Sequence, residues 1–241
     1  MNIGLVIPAY EEEENISILI NEIKRHIKAK IIVVDDSKSN LTKKIFIKKK
    51  KNVFYFKRNN KLGRGSAVLF GFKKLLKSKK ISIFIEMDAD KSHRPSEIFR
   101  NLKYFKKNSL DLLISSRYLK KSKIINWSLS RRIFSILANF SARSVLQIPI
   151  TDFTNGYRIY SKRSVKKIIK NCGKIGDGFI ILSEILLELH HNNFKIDEIH
   201  SKFVNRTRGE SSVNLKLILE AFFGLIKIYI KKRKLKRLAY R

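Results

Sequence analysis

Five short apolar runs punctuate the first half of the chain, and helix-patterned stretches separate most of them. Ile3–Ile7 ends at Pro8, Ile31–Val34 stops at Asp35-Asp36, and Val53–Phe56 follows. Ile81–Ile85 stops at Glu86-Met87-Asp88-Ala89-Asp90, and Leu112–Ile114 is the fifth. Runs this short, apolar and β-branched predict strands buried on both faces. Ile16, Leu19, Ile20, Ile23 and Ile27 recur at helical spacing between the first two. Helices are also expected over Gly65–Leu76 and from about Pro95 to Phe105, with Pro95 suited to a first turn. This alternation predicts an α/β fold, a mostly parallel sheet flanked by helices. Ligands of such sheets bind at the carboxyl ends of the strands, where Asp35, Asp36, Asp88 and Asp90 fall.

The second half is less regular. Helices are expected over Ser128–Leu146, Val165–Ile169 and Phe179–Leu189, and short strands over Ile196–Ile199 and Lys202–Val204. Leu215–Ile230 reads as an amphipathic helix, and a basic run, Lys231–Arg237, follows it. Residues 1–213 are therefore expected to form the main α/β domain and 214–241 a membrane-surface appendage. Lys216, Glu220 and Lys227 interrupt the longest apolar tract, so no membrane-spanning helix is expected. The N-terminus lacks the pattern of a signal peptide, and the single Cys172 fits a reducing compartment.

Charge alone does not choose a partner. Lys plus Arg number 53 against 20 Asp plus Glu, a net +33, which attracts phosphates, anionic lipid or nucleic acid. A chain-wide enrichment in Lys, Ile and Asn accounts for it as well.

Asp88-Ala89-Asp90 is the sharpest chemical element. Two carboxylates two residues apart beyond a strand can reach one hard cation, Mg2+ or Mn2+. One carboxylate of Asp35-Asp36 can accept from a ribose hydroxyl or a base N–H. Gly63-Arg64-Gly65 opens a helix whose N-terminus favours anions. Arg117, Arg131, Arg158, Arg206 and Arg208 are candidate phosphate clamps, and His93 is a candidate ligand or base. No HExxH, paired CxxC or GxSxG element occurs.

The motifs have an order. Pro8-Ala9-Tyr10-Glu11-Glu12, Val34-Asp35-Asp36-Ser37 and Leu62-Gly63-Arg64-Gly65 come first. Met87-Asp88-Ala89-Asp90, Ser92-His93-Arg94-Pro95 and Ser116-Arg117-Tyr118 follow. Thr151-Asp152-Phe153-Thr154-Asn155-Gly156-Tyr157-Arg158, Phe203-Val204-Asn205-Arg206 and Gly209-Glu210-Ser211 close the set. Over nearly its whole length the chain resembles the dolichol-phosphate mannosyltransferases and related polyprenyl-phosphate glycosyltransferases, an inverting group with the GT-A fold. The resemblance implies a nucleoside pocket at Pro8, Tyr10, Glu12, Val34 and Asp36. It implies a metal and diphosphate site at Asp88 and Asp90, with Ala89 between them. Ser92 stands where some members place a further metal ligand, often Gln. Arg117, Arg131 and Ser135 match acceptor-phosphate positions, and Arg206 a donor-phosphate contact.

Two departures accompany it. Ser37-Lys38 stand where Gly-Ser is usual, and Ser212 stands where a phosphate-binding Lys is common; Arg208 or Lys216 is expected to supply that charge. The expected reaction carries a sugar, mannose from GDP-mannose first, to a polyprenyl or dolichyl phosphate. A UDP-sugar donor, glucose or an N-acetylhexosamine, or a non-lipid acceptor, is the alternative. The expected location is cytoplasmic, peripheral on an anionic membrane surface, with a membrane-anchoring partner protein possible and no nucleic acid bound. A nucleotidyltransferase would carry a Gly-rich basic loop where Pro8-Ala9-Tyr10-Glu11 stand, and a processive synthase a QxxRW element, which is absent. A non-catalytic basic module that binds membrane or nucleic acid is the remaining rival, and strand-end acids speak against it.

Overall fold

A computed structural model describes residues 2–47, 51–176, 178, 180–205 and 215–239, with side chains of the last segment described for 223–235. Its elements run β1 (Ile3–Ala9), α1 (Glu13–His26), β2 (Lys30–Asp35), α2 (Leu41–Ile45), β3 (Val53–Lys57), α3 (Arg64–Leu76) and β4 (Ile83–Glu86). A 3-10 turn, Pro95–Glu97, leads into α4 (Ile98–Lys107), then β5 (Leu112–Ser116), β6 (Lys123–Ile125) and α5 (Leu129–Leu146). β7 (Arg158–Ser161), α6 (Lys162–Asn171), α7 (Ile180–His191), β8 (Ile196–His200), β9 (Lys202–Val204) and α8 (Leu215–Ala239) complete the chain.

The main sheet has seven strands in the order β3-β2-β1-β4-β7-β5-β8. β7 runs antiparallel to β4 and β5; every other pairing in this sheet is parallel. β6 and β9 form a separate parallel pair. The period of two along β1 divides its side chains between two cores. Val6 joins α3 and the C-terminal helices on one face, and Leu5 and Ile7 join α1 and α4 on the other. The expected α/β fold with helices on both faces is what forms.

The structure departs from expectation in several places, and α2 and β6 are elements not anticipated from the sequence. The helix at Pro95 begins as a 3-10 turn. The strand β7 was not anticipated, because its four residues begin with an arginine. The basic run after Ile230 is a continuation of α8, not a separate tail. One side of α8 is docked: a Cβ at Gly224 would sit 2.5 Å from Ile180, and Ile228 is fully buried. Lys231 and Lys232 also turn inward. Lys231 Nζ lies 2.9 Å from Glu184 Oε1, and Lys232 Nζ donates to the Val145 carbonyl at the end of α5. Phe223, Ile226, Tyr229 and Ile230 face outward, as do Leu129, Ile133, Phe134, Ile136, Leu137 and Phe140 of α5.

Candidate active site

The site gathers where β1, β2, β4 and β5 end and antiparallel β7 begins. Pro8 and Val34 are register partners on β1 and β2, one step before Ala9 and Asp35, and both are buried. Tyr10 follows β1, with the Lys61 ammonium 3.8 Å from its ring centre. Glu12 accepts from Asn15 Nδ2 at 2.8 Å, at the start of α1. The residues expected to hold a nucleoside thus share one end of the sheet.

Asp36 is tightly held. Arg58 grips it through Nε to Oδ1 at 2.5 Å and Nη2 to Oδ2 at 2.6 Å, and the Leu62 amide donates to Oδ2 at 3.0 Å. Asp35 accepts from the Tyr55 hydroxyl at 2.6 Å and from the Ser37 amide at 2.9 Å. Where Ser37-Lys38 replace the usual pair, Glu11 closes the loop: it accepts from the Lys38 amide at 2.7 Å and the Ser39 hydroxyl at 2.8 Å. Burial raises the Glu11 carboxyl, but the bonds from Ser39 and Lys38 together outweigh it and leave the group below its ordinary value.

The second acidic pair follows β4. Asp88 lies between two partners, Arg64 Nε at 2.6 Å from Oδ1 and His93 Nε2 at 3.2 Å from Oδ2. Burial alone would raise the Asp88 carboxyl, but the Arg64 charge, with His93, holds it well below the carboxylate range. Ala89 is buried. Asp90 is half-buried and accepts from the Ser92 amide at 3.0 Å. Ser92 Oγ is buried without a hydrogen-bond partner.

Arg64 supplies what the glycine-flanked motif is for. Gly63, at φ +83°, turns the chain into α3. The next residue then points into the acids, with Nη1 3.0 Å from Glu86 Oε2 and Nη2 3.0 Å from the Gly156 carbonyl. A Cβ at Gly156 would overlap Arg64 and stand 2.9 Å from Asp88 Oδ2, so only glycine admits this arrangement. Gly65 serves packing instead; a Cβ there would lie 2.5 Å from Ile181.

The expected acceptor residues converge beyond β5. Arg117 is bound in fork fashion by Asp152, with Nε to Oδ2 at 2.8 Å and Nη2 to Oδ1 at 2.7 Å. Burial would raise Asp152 and lower Arg117, yet their mutual charge prevails and keeps both ionised. Trp127 joins the two arginines: Arg117 lies 5.3 Å and Arg131 4.6 Å from its ring centre. Arg131 also donates to Asn205 at 2.5 Å. Ser135 Oγ accepts from the Tyr118 hydroxyl at 2.6 Å.

Arg158 does not act as a clamp. It is fully buried on β7 and donates to the carbonyls of Asn155, Leu182 and Phe153. Arg206, Arg208, Ser212 and the Lys216 side chain lie outside the described residues. Reading the sequence missed Arg58, Asp152 and Trp127 as partners; Asp152 stood inside a quoted motif, but nothing local marked it as the mate of Arg117.

The donor set suits a hard divalent ion. Two carboxylates at a strand end, one with the unbonded Ser92 hydroxyl as its neighbour, match Mg2+ or Mn2+, which take few protein oxygens and share substrate phosphates. Among the described residues no cluster of three or more His, Cys, Asp or Glu side chains exists to hold a metal by itself.

Comparison with known proteins gives concordant results. The profile of Glycosyl transferase family 2 matches residues 5–169, more than half of the chain. Polyprenol monophosphomannose synthase of Mycolicibacterium smegmatis is 31% identical over 91% of this chain and 83% of its own length. Dolichol-phosphate mannosyltransferase of Pyrococcus furiosus is 33% identical over 91% of this chain, which spans 61% of that protein. Glucosyl-3-phosphoglycerate synthase from Mycobacterium tuberculosis, solved with Mn2+, UDP and glucosyl-3-phosphoglycerate, has a similar fold. Its TM-score is 0.65 at 15% identity, covering 96% of this chain and 79% of that one. S. aureus TarS 1-349 aligns at a TM-score of 0.60 and 15% identity, over 96% of this chain and 65% of that one.

Proposed function

Because the chain belongs to glycosyl transferase family 2, we propose that it transfers mannose from GDP-mannose to a polyprenyl or dolichyl phosphate at a membrane surface, inverting the anomeric carbon. The observation that carries this reading is the proximity of two arginines on one tryptophan, beyond β5, which only β7 separates from the strand of the acidic pair. A donor diphosphate and an acceptor phosphate each need positive charge, and the Arg117 and Arg131 pair supplies it for the acceptor.

Asp88 and Asp90 would hold Mg2+ or Mn2+, as the Mn2+ of the glucosyl-3-phosphoglycerate synthase complex supports. When bound, the ion neutralises the diphosphate and makes it a better leaving group. Pro8, Tyr10, Glu12, Val34 and Asp36 line the nucleoside end, with Arg58 fixing the Asp36 carboxylate. Arg131 and Arg117 orient the acceptor phosphate; Asp152 and Trp127 hold Arg117 in place. Ser135 completes that end, and Arg206 contacts the donor phosphate. A phosphate monoester carries about −1.5 to −2 charge at neutral pH and attacks without a strong base. Positioning and charge stabilisation therefore carry the rate.

The acceptor's lipid chain fits the outward faces of α5 and α8. Their exposed Phe, Leu and Ile side chains are accompanied by exposed Arg132, Arg143, Arg233 and Lys234, the composition of an interfacial surface. Among the described residues no helix is long and apolar enough to cross a membrane. Residues 1–213 are read as the catalytic unit and 214–241 as its membrane-facing helix, peripheral on the cytoplasmic face, where a membrane-anchoring partner protein can add to the attachment.

The test is transfer of radiolabel from GDP-mannose to polyprenyl phosphate with Mg2+ or Mn2+, counted in the organic phase, with UDP-glucose in parallel. Lipid-borne label from GDP-mannose supports the reading. Label from UDP-glucose alone changes the donor, and label from neither overturns the reading.

A further inference from the structure

Arg64 is buried among groups that a divalent ion would also seek. Three of its nitrogens serve three different acceptors: Asp88, Glu86 and the Gly156 carbonyl. Glu86 is fully buried, and its other oxygen accepts from the Tyr160 hydroxyl at 2.5 Å. Burial of a lone carboxylate pair is costly, and a guanidinium fork offsets it. Gly156 leaves room for that fork, which a Cβ at this position would overlap.

We propose that Arg64 is a resident counter-cation of the Asp88/Asp90 site, which neutralises its acids in the empty enzyme and makes uptake of a divalent ion conditional on the donor diphosphate. This rests on reading Asp88 and Asp90 as the metal and diphosphate site. An incoming cation meets a fixed positive charge already hydrogen-bonded to one of its two carboxylate ligands. Repulsion between like charges a few ångströms apart is strong where water is scarce. Two carboxylates, one of them compensated, hold Mg2+ or Mn2+ weakly. A diphosphate adds negative oxygens on the open side and reverses the balance. Ion and nucleotide then bind cooperatively, each tightening the other by the same factor. The device keeps the site from filling with metal when no donor is present.

The experiment measures Mn2+ binding to the full chain by electron paramagnetic resonance, with and without GDP or UDP, for the wild type, Arg64→Gln and Glu86→Gln. The wild type should bind Mn2+ weakly alone and at least about tenfold more tightly with the matching nucleotide. Arg64→Gln should bind Mn2+ alone about tenfold more tightly than the wild type, and its coupling to nucleotide should shrink accordingly. A merely structural arginine predicts the opposite, weaker binding, so unchanged or weaker Mn2+ affinity in that variant overturns the proposal. Should Arg64→Gln fail to fold, Glu86→Gln decides. It keeps the acceptor geometry and leaves the guanidinium less compensated, so Mn2+ alone should bind more weakly and the coupling should rise. An unchanged coupling there is equally fatal. If the wild type fails to bind Mn2+ in the presence of either nucleotide, the reading of Asp88 and Asp90 as the metal and donor site falls and takes this inference with it. Binding by the wild type with no change in the variants removes only the role of Arg64.

Discussion

Lys231 of α8 reaches across to Glu184 of α7 at 2.9 Å and lies 3.8 Å from Glu188. Both carboxylates are buried, while the lysine side chain is 22% exposed, so its loss would leave two acids with little solvent. Lys231→Met should destabilise the protein by about 2–3 kcal/mol, below the upper range for a fully buried pair. Thermal and urea unfolding check this, and adding Glu184→Gln should return part of the loss. Equal stability of Lys231→Met and the wild type would mean that α8 is not held through this contact.

Asp90 offers a cleaner lesion than Asp88. Its carboxylate is half-buried and its one recorded bond closes the turn to Ser92. Asp90→Ala should keep the melting temperature within a few degrees while lowering transfer by more than about 100-fold. A variant that melts normally and still transfers mannose would remove Asp90 from the metal site.

The proposed acceptor role of Arg131 can be tested apart from donor binding. The guanidinium lies over Trp127 and donates to Asn205. Arg131→Ala should raise the KM for polyprenyl phosphate about 10- to 100-fold and leave GDP affinity within about twofold. Steady-state kinetics with each substrate varied would show it; equal losses for both substrates would count against the assignment.

Stability should fall in acid. The carboxyls of Asp88, Asp111 and Asp152 are all lowered in the fold, burial being outweighed by Arg64, Arg163 and Arg117 respectively. A lowered folded value stabilises above the ordinary value of 3.8 and is lost as pH falls below it. Glu198 works against this, since burial outweighs its hydrogen bonds and raises it; its cost eases as pH falls through its folded value, which lies above 4.5. The unfolding free energy of the wild type should therefore drop below about pH 4, and Asp152→Asn should show a shallower drop. Urea melts from pH 3 to 7 measure both slopes.

The outward face of α5 predicts a membrane phenotype. Leu137 is 54% and Phe140 68% exposed. Replacing both by glutamate should cost little stability and reduce sedimentation with anionic vesicles about tenfold or more. Undiminished vesicle binding would move the membrane contact elsewhere.

Much of this arrangement is legible in the sequence. Ile31–Val34 and Ile81–Ile85 predict strands because continuous β-branched and apolar residues suit a sheet covered on both faces. The acids beyond them fall at the sheet's carboxyl edge by the same logic. β7 is hidden because Arg158 is satisfied by distant backbone carbonyls, which no local pattern reveals. The Asp36–Arg58 and Asp152–Arg117 pairs are hidden for a like reason, being contacts across 22 and 35 residues. Lys231 and Lys232 looked like a solvated tail because charge suggests water, yet their stems span the helix surface; Lys231 reaches the buried Glu184 and Lys232 the half-buried Val145 carbonyl.

The reversed strand β7 also bears on how the protein is made. It is the seam between two half-sheets, β3-β2-β1-β4 on one side and β5-β8 on the other, which share no other edge. During synthesis the acids after β4 and the arginine after β5 leave the ribosome well before residues 158–161, so they stay unregistered until that strand slots between them. Non-local pairings of this kind are slow to form and leave apolar edges uncovered meanwhile. A nascent chain halted before residue 158 would present the open edge of β3-β2-β1-β4, and β5 without either of its neighbours, so the short segment Arg158–Ser161 is what first brings the acids after β4 and the arginine after β5 into one sheet.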